Sequence, residues 1–255
     1  MREYLVFTLR GPMQSWGTAS AVGEVRATAG RPGRSGVMGL VAAALGIRRD
    51  RPEALEKLHG AARIAIRADS FGERMLDYHT IQTPPSVRNV TYYTRRDELM
   101  NKVCKDQLST ILSRREYLAD AAFTVCVWLE GDAGYGTEDM REALLRPKLT
   151  LYLGRKSCPP GFPLLPETLR AANVAEALGQ YDSLHGEQFV AKGKRLAQTQ
   201  LWSDAGHDIP GVEERSTLYS VRDVLTNSSK RQFGIRQERH FILQPQQKEA
   251  DHVHE

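Results

Sequence analysis

A chain of 255 residues with 41% hydrophobic content can bury a real core, as one large domain or a domain with an extension, and this composition excludes global disorder. No apolar run approaches the roughly 20 residues that span a bilayer, and the N-terminal run is too short for a secretory leader. Cys104, Cys126 and Cys158 are far apart with no CxxC pair, which argues against a disulfide framework or a zinc site and for a reducing cytoplasm without membrane contact. The formal charge is +4, and arginine, which can fork onto phosphate and stack on bases, supplies most of the 35 basic residues.

In chain order, "YLVFTL" at 4–9 predicts a first strand, followed by a glycine-punctuated loop over 10–34. "RSGVMGLVAAALGI" predicts a buried helix, apolar nearly all round, with Ser35 as N-cap and Gly46 just past its end. "DRPEALEKLHG" predicts a second, short helix opened by Pro52 and stopped by Gly60, and "ARIAIRADS" alternates as a strand. From Tyr78 to Arg114 the pattern breaks into an excursion that carries Pro84-Pro85, "VTYYTRRDE" and the cations Arg88, Arg95, Arg96, Lys102 and Lys105. "AAFTVCVWLE" then predicts a central strand, "GTEDMREALLRP" a helix capped by Thr137, and "KLTLYLG" at 148–154 a closing strand.

The order β-α-(short α)-β-excursion-β-α-β is the split βαβ pattern, an α+β, ferredoxin-like (RRM-like) arrangement over residues 1–154 with an insertion at about 79–113. Beyond it, a short helix near 173–179, strands at 187–191, 195–201 and 215–222, and a basic-aromatic run, "KRQFGIRQERHFIL", at 230–243 predict a smaller, β-rich C-terminal extension over 155–243, with 244–255 as a mobile tail.

Two basic, glycine-bearing loops invite anions. Arg26, Arg31 and Arg34, with Ser35, precede a helix N-terminus, where free N–H groups and the dipole favour negative charge. Arg155, Lys156 and Ser157 follow Gly154 at the end of the predicted last strand. A surface loop with solvated arginines is the competing reading of each. Together the loops suggest a ligand with several phosphates in a row, and Arg115 at the base of the excursion is placed to join them. His79, beside Tyr78 in "DYHT", is either a general base for a ribose 2′-hydroxyl or a hydrogen-bonded structural histidine. His252 and His254 sit in the tail with no rigid element to hold them, so no metal site and no cofactor is expected.

"GPMQSWG", "GRPGRSGVMGLVAAALGI", "DYHT", "RREYLADAAFTVCVWL" and "YLGRKSCP", in this order over residues 1–159, resemble the RAMP-type subunits that bind the CRISPR RNA 5′ handle in the type I-E surveillance complex, Cascade. The resemblance implies a ferredoxin-like RAMP palm with a thumb hairpin and contacts to the large subunit CasA and the backbone subunit CasC. Target DNA is then met only through the complex. In that branch a separate subunit, CasE, cuts the precursor, so the resemblance implies a non-catalytic binder. The sister type I-C branch cuts RNA with a tyrosine, a lysine and a histidine, a trio that Tyr78, His79 and Lys105 do not match position by position; a metal-independent endoribonuclease is the alternative. Single-stranded RNA is read by bases splayed onto aromatic or apolar surfaces. Met13 and Trp16 are therefore expected to support a base, and Gln14 to bond a base edge, unless Trp16 folds back as a plug over the core.

Overall fold

Strand β1 (Arg2–Arg10) is buried on both faces from Tyr4 to Leu9, as a central strand must be. The computed structural model describes residues 1–18, 25–100, 107–189, 199–204, 216–230 and 232–243. Four two-residue strands follow β1: β2 (Met13–Gln14), β3 (Trp16–Gly17), β4 (Val25–Arg26) and β5 (Thr28–Ala29). Helices α1 (Arg34–Leu45) and α2 (Pro52–Ala61) lead into β6 (Ala62–Ser70) and β7 (Glu73–Thr83). A short α3 (Arg95–Met100) precedes β8 (Ser109–Ala119), β9 (Ala122–Leu129), α4 (Thr137–Leu145) and β10 (Glu167–Ala171). The chain then forms α5 (Val174–Phe189), β11 (Thr199–Asp204), β12 (Ser216–Asn227) and β13 (Gln232–Leu243).

The main sheet has seven strands in the order β10-β1-β9-β6-β11-β13-β12, and every neighbouring pair is antiparallel. Period-two alternation sorts its side chains onto two faces. Phe7, Ile66 and Val125 join the large core built with α1, α2 and α4, while Val6, Ala65, Cys126 and Trp128 join a smaller core under α5. Helix α1 is the most buried helix of the large core, and Gly46, at φ 78°, closes it by donating to Ala43 O at 3.0 Å. The β7–β8 hairpin runs in continuous register from Glu73↔Ala119 to Thr83↔Ser109, and β8 also pairs with β2 and, in parallel, with β4. Leu76 and Tyr78 on this hairpin are exposed.

Several predicted elements are corrected. Residues 148–154 form an extended loop rather than a strand: Leu153 N donates to Cys158 O and Leu153 O accepts from Ser15 N, so its backbone bonds go to other loops instead of a ladder. Burial of Leu151 and Leu153 produces the strand-like alternation, and the strand that pairs with the outer edge of β1 is β10. The helix predicted at 173–179 continues to Phe189, through part of the strand predicted at 187–191. The N-cap of α1 is Gly33, not Ser35, and that of α4 is Gly136, whose N–H is bonded by the Asp139 carboxylate at 2.8 Å. Lys102, Lys105 and the predicted tail at 244–255 lie outside the described residues. Among the described residues no helix is long and apolar enough to cross a membrane.

Candidate nucleic-acid interface

The loop after β1 turns its costly side chains inward. Trp16 is 2% exposed, and its ring packs against Gly36 of α1, where a Cβ would stand 3.1 Å from the indole. The indole Nε1 donates to Gln14 Oε1 at 3.0 Å, and Gln14 Nε2 donates to Ala121 O at 2.7 Å and Leu9 O at 3.3 Å. Gln14 is fully buried, so its amide meets backbone rather than a base edge; Met13 packs half-buried against the same core. The expected exposure of Trp16 and Gln14 is therefore corrected: the tryptophan is the plug. Gly154, at φ 87°, lies where a Cβ would fall 1.8 Å from Ser15 O, so the 152–158 loop rests directly on this plug.

Arg31 and Arg34 are likewise turned away from solvent. Arg34 is 3% exposed; it pairs with Asp204 at 3.3 Å and donates to Ala62 O at 2.9 Å and to His59 O. Arg31 pairs with Glu238 and lies over the Trp202 ring at 4.8 Å. Arg236 bridges Asp204 at 2.8 Å, Asp223 at 2.7 Å and Glu238 at 2.6 Å. Three guanidinium groups thus face three carboxylates in one largely buried, formally neutral network. Burial lowers the pKa of Arg31 and of Arg34, and the facing carboxylates Glu238 and Asp204 oppose that shift. Asp223 Oδ2 also accepts the Arg34 N–H at 2.8 Å, so a carboxylate from β12 already occupies the α1 N-terminus where a phosphate was expected. The network clamps β11–β13 to α1. Ser35, next in the helix, is half-buried.

His59 belongs to the same buried patch. Burial and the adjacent Arg34 charge lower its pKa from 6.5 to about 4, so the ring is neutral at pH 7. The unfolded chain takes up a proton near pH 6.5 and the folded one only near pH 4, so protons favour unfolding between these values. The contribution of His59 to stability is expected to fall by about 3 kcal/mol as pH drops through that window and to change no further below it. Urea titrations at closely spaced pH values measure the fall, which His59→Gln should flatten.

The remaining arginines converge. Arg26 on β4 stands in register with Arg115 on β8, which is in turn opposite Asp77 on β7. Arg155 Nη2 donates to Arg26 O at 3.0 Å, and its guanidinium lies 5.2 Å from the Tyr117 ring centre. Tyr117 and Arg115 are two residues apart on one strand and share a face, so Arg26, Arg115 and Arg155 form one basic patch at the hairpin base. Lys156 and Ser157 are exposed on the adjoining turn. Arg115 Nε and Arg155 Nη1 are buried and have no hydrogen-bond partner among the described residues. A desolvated guanidinium N–H without an acceptor is costly, and an anion is the kind of group that would satisfy it.

The pleat separates Tyr78 from His79. His79 shares the face of Arg115 and touches the Asp77 carboxylate, whereas Tyr78 is on the opposite face, across from Arg114. Of the expected set, the structure brings together Arg26, Arg115, Arg155, Lys156, Ser157 and His79; it places Met13, Gln14, Trp16, Arg31 and Arg34 in the core or the clamp. Arg114 was not singled out from the sequence, although the "RRE" run at 114–116 puts one arginine on each face of a strand. Nor were Asp204, Asp223 and Glu238, which carry no local motif.

Residues 4–239 match a family model described as CRISPR-associated protein (Cas5). The CRISPR system Cascade subunit CasD of Escherichia coli (strain K12) is 37% identical over 187 residues, which cover 73% of this chain and 80% of that one. A solved Cas protein is 30% identical with a TM-score of 0.61, over 94% of this chain and 95% of that one. A chain of a CRISPR RNA-guided surveillance complex is 29% identical with a TM-score of 0.62, over 94% and 90% respectively.

Proposed function

This chain belongs to the CRISPR-associated Cas5 family, and from that premise we propose that it is a non-catalytic subunit of a type I-E surveillance complex that grips the 5′ handle of the CRISPR RNA. The observation that carries this reading is the Arg26–Arg115–Arg155 patch, with its two orphaned guanidinium nitrogens at the base of an exposed hairpin. The four antiparallel strands β10-β1-β9-β6 support a ferredoxin-like RAMP palm that takes in residues 1–154 and is completed by β10. In this reading the β7–β8 hairpin is the thumb and β11–β13 are a C-terminal extension. Arg26, Arg115, Arg155 and Lys156 hold consecutive phosphates, Ser157 adds a hydroxyl, and Tyr78 presents an exposed ring on the other hairpin face. The subunit acts in the cytoplasm, caps one end of the complex and joins CasA to CasC, so target DNA is met only through the assembly.

Binding of labelled handle RNA should weaken steeply with salt, because phosphate contacts release counterions. Arg155→Ala is expected to weaken it at least about tenfold and to lower the salt slope by about one. Arg34→Met should leave that slope unchanged. Equal affinity for handle and scrambled RNA, or no effect at Arg155, would count against the reading.

The second reading, metal-independent cleavage of repeat RNA, draws on the Asp77 carboxylate against the His79 imidazole, a pair that can hold the ring as a general base. The same protein incubated with repeat RNA in EDTA decides between the two. A single cut abolished by His79→Ala favours the nuclease; intact RNA favours the binder.

A further inference from the structure

Gly39 is in the second turn of α1, exposed, with nothing among the described residues within 4 Å of the position its Cβ would take. A glycine inside a helix weakens it relative to alanine, and no contact among the described residues explains this one, whereas Gly36 three residues earlier is explained by Trp16. Gly39 opens onto a groove of about 590 Å³ between α1, α2, the 149–154 loop and the tip of the β12–β13 hairpin. Leu40, Ala43, Leu55, Leu225 and Phe233 give it an apolar lining. Two further features point to an occupant. His59, 6% exposed, lines the groove, and its imidazole Nδ1 has no hydrogen-bond partner among the described residues. Arg48 and Arg49, exposed at the end of α1, also line it and hold no ion pair among the described residues.

We infer that this groove seats a segment of a neighbouring protein subunit: an apolar stretch that approaches the backbone closely at Gly39, carries an aspartate or glutamate to Arg48 and Arg49, and offers a hydrogen-bonding group to His59 Nδ1. Charge complementarity selects an acidic partner. A nucleic-acid strand needs cations along its whole track, but here Arg48 and Arg49 follow the C-terminal end of α1 and the other lining is mainly apolar, which suits a protein. The inference rests on the reading of the chain as one subunit of an assembly.

The test uses the full chain co-expressed with the other subunits and the CRISPR RNA of its own complex, with p-benzoylphenylalanine at position 39. Irradiation should join it to a second protein through a peptide containing Asp or Glu. Crosslinking to the RNA, to this chain's own residues 244–255, or to nothing overturns the inference. Arg48→Glu with Arg49→Glu should cut retention in the complex about tenfold, as buried interfacial charge pairs do, while the isolated variant binds handle RNA as the wild type does. Gly39→Trp, whose Cβ meets nothing among the described residues within 4 Å, should leave Tm unchanged and block retention; undiminished retention of both variants also overturns it. A wild-type chain that enters the complex without binding handle RNA sinks the handle reading alone, and one that enters no complex sinks both.

Discussion

Asp223→Ala is expected to lower the unfolding free energy by about 3–5 kcal/mol, the cost of leaving buried charges without their partner. Its carboxylate accepts from Arg34 N at 2.8 Å and from Arg236 Nε at 2.7 Å and Nη2 at 3.1 Å, at a site 6% exposed. Alanine removes both acceptor oxygens, and with them all three hydrogen bonds, and leaves the network with three cations to two anions. It also strips the α1 N-terminus of the carboxylate that satisfies it. Asparagine keeps the shape but must turn an NH2 group toward a donor, so Asp223→Asn should lose a large part of the same energy. Urea unfolding at pH 7 gives the magnitude, and amide exchange gives the location: β12 and β13 should open before β1 and β9. A loss under about 1 kcal/mol would mean that solvent takes over the role of the clamp, as at ordinary surface pairs.

The clamp also shows where sequence reading stops. Strand β1, helix α1 and strand β9 were legible because each is a nearly continuous apolar run of the length its element needs, bounded by turn or cap residues that can be read along the chain. Arg31 and Arg34 were legible only as basic residues before a helix. Their partners lie 207 and 170 positions away, and the carboxylate that caps α1 lies 189 away, so nothing in "GRPGRSG" distinguishes a phosphate cradle from half of a buried ion network. The same limit explains residues 148–154. Leu149, Leu151 and Leu153 alternate as a strand does, but whether such a run joins a ladder depends on which backbone lies opposite, and here that is Ser15 and Cys158. At the candidate interface Arg26, Arg115 and Arg155 were each legible as basic residues of a loop or of the base of the excursion, whereas their convergence depends on the pairing of β4 with β8. The orphaned nitrogens are properties of packing alone.

Trp16→Ala tests the link between core and interface. Removing a ring that is 2% exposed empties a cavity beside Gly36 and leaves Gln14 Oε1 without its donor. The expected loss is about 3–5 kcal/mol, seen as a fall in Tm of roughly 2–4 °C per kcal/mol for a chain of this size. RNA binding should fall as well, but indirectly, because the 152–158 loop that carries Arg155 rests on Ser15 and Trp16. Trp16→Phe separates the two routes. It keeps most of the packing and gives up one hydrogen bond worth about 1 kcal/mol, so it should recover most of the stability and handle affinity close to the wild type. A ring that stacked on a base would behave differently: Trp16→Ala would keep its Tm while binding weakly. That outcome would return the tryptophan to the surface and undo the account of why a glycine-rich turn carries it.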